Sequence, residues 1–111
     1  MVIVFSARIL PPKSIYAAVF KSLSGLVAPT RVEPGCRAAF LYSDVEDSNA
    51  LMLIEEWETR EDFDRQFQAD KLKVVVAAIE LSQQTPTIRI QTVEKEEGIA
   101  SIKRQPDITR P

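Results

Sequence analysis

Residues 30–58 constrain the fold of this chain more than any other stretch. They read Thr30-Arg31-Val32-Glu33-Pro34-Gly35-Cys36, an alternating segment to Ser43, an acidic connection, and Leu51-Met52-Leu53-Ile54-Glu55-Glu56-Trp57-Glu58. Pro34-Gly35 is a turn signal, and each flanking run has the two-residue period of a strand. Strict alternation puts Cys36, Ala38, Phe40 and Tyr42 on one face of the first strand and Arg37, Ala39, Leu41 and Ser43 on the other. It puts Leu51, Leu53, Glu55 and Trp57 together in the second. Asp44-Val45-Glu46-Asp47-Ser48-Asn49 supplies the turn, and the pair predicts a hairpin.

The flanks complete the pattern. Val2 to Leu10 is a β-branched and aromatic run suited to a strand buried on both faces. Pro11-Pro12 closes it. From Lys13 to Ala28, Ile15, Val19, Leu23 and Leu26/Val27 recur at helical spacing, with Pro29 expected to end the helix. Thr59 can cap a second helix, with Asp62 three residues on as a weak capping-box partner and Phe63 and Phe67 on the buried side. Asp70 can cap a further helix carrying Leu72, Val75, Val76 and Ile79. Val74-Val75-Val76 also suits a strand, but the flanks and spacing tip it to helix. Thr87 to Glu94 alternates as a last strand.

The order is βαββαβ with a broken second helix. An antiparallel sheet backed by helices on one face, an α+β ferredoxin-like arrangement, follows. The expected domain spans residues 1–97. Residues 98–111 are expected as a tail, either disordered or lending Gly98–Ile102 to a neighbour as a short strand. Strands one and three are apolar at both parities, so the second sheet face needs cover, most economically from a twin copy.

A chain of 111 residues holds one small core, and a net charge of −2 offers no general attraction to nucleic acid or anionic membrane. The N-terminus is apolar too briefly for a signal peptide and no segment reaches membrane-spanning length. With the lone Cys36, this suits a soluble protein of the reducing cytoplasm. The chain has no histidine. Zinc sites, Ser-His and Cys-His nucleophilic machinery, and a haem on a proximal histidine are thereby excluded, whereas carboxylate-bound magnesium or calcium is not.

Three blocks taken together resemble the antibiotic biosynthesis monooxygenase family of dimeric α/β-barrel proteins: Leu10-Pro11-Pro12-Lys13, Leu26 to Cys36, and Leu53-Ile54-Glu55-Glu56-Trp57-Glu58-Thr59-Arg60-Glu61. The likeness runs from about Val2 to Val93. It implies a homodimer packed sheet to sheet, and a pocket between sheet and helices. Members include cofactor-independent oxygenases of polycyclic quinol-like substrates, haem-degrading enzymes, and an isomerase of a bacterial signalling molecule. Where the family often carries histidines, this chain has Gln66 and Lys71. Ala39 stands where an aromatic is common. The haem-degrading branch needs a histidine ligand that is missing here.

The candidates follow, each beside its plainer role. Glu55, sharing a face with Trp57, can act as a base towards an acidic phenol or enol, or form a salt bridge to Arg37 or Arg89. Trp57 matches the family's pocket tryptophan and can stack on a flat aromatic, or simply fill the core. Arg37 and Lys71 can stabilise an enolate or peroxide anion, or sit solvated. Gln66 can donate to a carbonyl, or face water. Phe63 and Phe67 are pocket-wall candidates. Cys36 reads as inert packing, and Asp44, Glu46 and Asp47 as a solvated turn. The expected function is a monooxygenase of a small aromatic or quinol-like substrate without metal or flavin. The alternative is a non-catalytic dimeric module for a small hydrophobic ligand.

Overall fold

A computed structural model of the protein describes residues 1–104. Four strands, β1 (Val2–Ile9), β2 (Cys36–Ser43), β3 (Leu51–Trp57) and β4 (Thr87–Val93), form one antiparallel sheet in the order β2-β3-β1-β4. The helices are α1 (Tyr16–Arg31), α2 (Arg60–Gln66), α3 (Ala69–Glu80) and a short α4 (Ile99–Lys103). This is the ferredoxin-like βαββαβ order with the second helix split in two.

One sheet face carries Ile3, Phe5, Ala7 and Ile9 from β1 and Leu51, Leu53, Glu55 and Trp57 from β3, all buried beneath the helices. They meet Val19 and Leu23 of α1, Phe63 of α2, and Val75 and Ala78 of α3. Alternation in β1 and β3 thus produces two facing apolar rows. Ile88 and Ile90 of β4 pair with Ala7 and Phe5 and share that face. They nevertheless stay 40% and 45% exposed, because the helical layer stops short of this edge.

The hairpin forms as expected, apart from its phase. Cys36 pairs with Trp57 and Ala38 with Glu56, so Arg37 is an extra residue in a β-bulge. The bulge puts Cys36 on the helix-facing side with Ala39 and Leu41, and puts Ala38, Phe40 and Tyr42 on the open side. The strict alternation expected for this strand is therefore corrected at its first residues. Glu33 to Cys36 make a type II turn: the Cys36 N–H donates to the Glu33 carbonyl at 3.1 Å, Pro34 holds the second position, and Gly35 has φ +85°. A β-carbon on Gly35 would also collide with the Asp62 carboxyl.

Three helix boundaries differ from expectation. Lys13–Ile15 form a 3₁₀ turn before α1 starts. α1 runs through Pro29 to Arg31, since a proline in the last turn removes only one late hydrogen bond. Gln68, not Asp70, occupies the N-cap of α3, with Asp70 in its first turn. Thr59 does cap α2, its hydroxyl accepting the Asp62 N–H at 3.0 Å. The ambiguous valine run lies within α3, as a helix. At the far end, Gly98–Ile102, expected as disordered or strand, contributes to α4, and residues 105–111 of the expected tail lie outside the described residues. Among the described residues no helix is long and apolar enough to cross a membrane.

Candidate functional site

Beneath the helices, at the Trp57 end of β3, lies a cluster of polar side chains. Glu55 is 1% exposed. One carboxylate oxygen accepts the Trp57 indole N–H at 3.1 Å, and the other accepts from the Lys71 ammonium at 2.8 Å. The period-two spacing of β3 brings Glu55 and Trp57 to one face, and the first turn of α3 drops Lys71 onto them.

Lys71 uses its remaining donors on the Thr30 hydroxyl, at 3.0 Å, and on the Gln66 carbonyl oxygen. Its ammonium also lies 5.2 Å from the Phe67 ring centre and 5.8 Å from that of Trp57, within cation–π range. Two charges this deep persist only when paired and hydrogen-bonded, and here they are. One polar group in the cluster is left over. The Gln66 amide nitrogen is buried without a hydrogen-bond partner among the described residues, and Gln66 is only 5% exposed.

A cavity of about 300 Å³ opens beside this cluster, between the end of α1 and the α2–α3 corner. Thr30, Gln66 and Lys71 form its buried end, and Leu26, Pro29 and Val74 its apolar wall. Exposed Glu33, Gln68 and Asp70 stand at its mouth. Glu55 and Trp57 sit behind the wall and do not line it.

The expected site residues therefore divide. Glu55, Trp57, Gln66 and Lys71 come together, with Phe67 beside the ammonium. Phe63 is core: its ring centre lies 5.5 Å from that of Phe5 and 5.1 Å from that of Phe67, which itself packs edge-on against both. Arg37 does not join them. As the bulge residue it reaches Glu58 at 3.7 Å and Glu96 at 3.6 Å. The expected partners of Glu55 are corrected too. Arg89 pairs with Ser6 on the opposite sheet face, and Lys71 takes the place of both arginines.

One participant is absent from the candidates the sequence offers: Thr30, part of a motif block there, is buried in the last turn of α1 and accepts a hydrogen bond from Lys71. Cys36 enters the neighbourhood through the bulge. Its thiol is pushed above the ordinary range by burial and then by the nearby negative Glu55.

A ferredoxin-like α+β domain with a charged pair buried between sheet and helices defines the class. Within it the chain belongs to the antibiotic biosynthesis monooxygenase family, whose model matches residues 1–78. Rv0793 from Mycobacterium tuberculosis has the same fold, with a TM-score of 0.76 and 23% identity over 88% of this chain and 100% of its own. A solved antibiotic biosynthesis monooxygenase gives a TM-score of 0.72 and 25% identity over 86% of this chain and 100% of its own. PA3566 from Pseudomonas aeruginosa gives 0.70 and 26%, over 85% and 95%. No curated protein matches the chain by sequence.

Proposed function

We propose that this protein is a cytoplasmic homodimeric monooxygenase of a small aromatic or quinol-like substrate that works without metal or flavin. One observation carries the reading: a buried Glu55–Lys71 pair adjoins a cavity of substrate size in a family that includes oxygenases. Glu55 lies one contact behind the cavity wall. It becomes the base when Lys71 swings into the cavity and turns its charge to the substrate.

Glu55 then takes a proton from an acidic C–H, and the carbanion gives its electrons to oxygen stepwise. The two radicals join as a peroxide, and its breakdown turns CH₂ plus O₂ into C=O plus water. Lys71 offsets the negative charge on enolate and peroxide, and positioned charge of this kind is worth more in a water-poor site. The homodimer would cover the open sheet face, where Phe40 and Tyr42 stack at 5.5 Å and stay exposed.

Oxygen uptake with anthrone and quinol substrates tests this. Glu55→Gln should lower kcat by about 10²-fold or more, the usual scale for losing a general base. An unchanged kcat would overturn the assignment. A second reading, a non-catalytic ligand-binding module, is favoured by the seclusion of Glu55 and Trp57 behind the wall. It predicts thermal stabilisation by ligand with no oxygen consumed.

A further inference from the structure

The cavity is chemically polarised from its buried end to its mouth. At the buried end the Thr30 hydroxyl oxygen and the Gln66 carbonyl oxygen already accept hydrogen bonds from Lys71, and behind them both Glu55 oxygens accept from Trp57 and Lys71. What is left there is a donor, the Gln66 amide nitrogen, which is buried and has no partner among the described residues. Leaving a buried donor unmade costs about 1–3 kcal/mol, so a ligand supplying the missing acceptor gains specificity from it. At the mouth the polarity reverses. Glu33 and Asp70 present carboxylates, and among the described residues neither forms an ion pair. Leu26, Pro29 and Val74 separate the two ends.

We infer that this site takes a small amine with a carbonyl-type head: an oxygen acceptor on Gln66, a flat apolar body along Leu26, Pro29 and Val74, and a protonated amine between Glu33 and Asp70. The inference rests on the reading of this cavity as the ligand site, and it names a ligand class that reading leaves open. The volume, about 300 Å³, lies at the lower end for ligand pockets and suits one or two rings with a short tail. A donor-only head such as an ammonium is disfavoured at this end, because it would face the Gln66 N–H and the Lys71 ammonium, so the amine belongs at the mouth.

The test uses three probes in titrations without oxygen: 4-(2-aminoethyl)acetophenone, its N-acetyl derivative, and 4-ethylphenethylamine, which lacks the carbonyl. Trp57 is the only tryptophan, so its indole N–H resonance, bonded to Glu55, reports occupancy. The keto amine should bind at least about tenfold more tightly than either the N-acetyl probe, which lacks the positive charge, or the ethyl probe, which lacks the carbonyl. Gln66→Glu, which replaces the free donor with an acceptor, should abolish that preference for the carbonyl. Glu33→Gln with Asp70→Asn, on the exposed rim, should abolish the preference for the free amine and its salt sensitivity. Equal affinity for all three probes, or no saturation at 10 mM, overturns the inference. Oxygen uptake is scored separately. Selective binding without turnover upholds the ligand class and removes the oxygenase reading, whereas turnover of anthrone with no selectivity among the probes does the reverse.

Discussion

Lys71 satisfies Glu55, Thr30 and Gln66 at once, so its removal leaves a carboxylate buried without a counter-charge. Lys71→Met should cost about 3–5 kcal/mol in chemical denaturation, the usual range for breaking a buried pair. Combining it with Glu55→Leu should recover much of that loss, because two apolar side chains need no partners. Cys36 supplies a pH dependence. Its folded thiol ionises only above the ordinary range, held up first by burial and then by Glu55. The folded state therefore keeps its proton where the unfolded thiol has lost it, and stability should fall as pH rises through the alkaline range in which unfolded cysteine ionises. Iodoacetamide should accordingly alkylate Cys36 far more slowly than a free thiol at neutral pH; equal rates would contradict the burial. The pairing of Glu55 with Trp57 was legible in the spacing of β3. Its pairing with Lys71 was not, because nothing local in the sequence records which of several distant cations a folded helix will deliver.

At the level of the element, the corner between β2 and α2 is held by Gly35 and Thr59. Gly35 sits in the left-handed region against the Asp62 side chain, and the Glu58 N–H donates to its carbonyl at 2.8 Å. Gly35→Ala should destabilise by at least about 1–2 kcal/mol from backbone strain alone, and removing the Asp62 carboxyl should return only part of the loss, because the Asp62 β-carbon still crowds the new methyl. Gly25 is the contrasting case. Nothing lies within 4 Å of the position its β-carbon would take in α1, so Gly25→Ala should stabilise by roughly 0.5–1 kcal/mol in the same measurement. The strands, the hairpin and the Thr59 cap could be read from periodicity and residue type. The bulge at Arg37 could not. Arg37 looks like any outward residue of an alternating strand, and only the β3 partner register shows that it is the inserted one.

For the whole molecule, the open sheet face decides assembly. Met52 and Ile54 of β3 are half-buried there beside exposed Phe40 and Tyr42, and the proposed dimer would seal them. Ile54→Lys should yield a folded monomer by sedimentation if that face is the interface. A dimer that survives the charge would place the interface elsewhere. The sequence carried the ferredoxin-like order because each element has its own period, whereas the cavity arises only where α1, α2 and α3 converge.

From α3, the Lys71 ammonium touches α1, α2 and β3 at once. A guest that draws it away would loosen three elements together rather than one side chain. Occupancy should therefore register as faster amide exchange along the last turn of α1, a mechanical signal carried to the outer surface by a single proton-rich hinge.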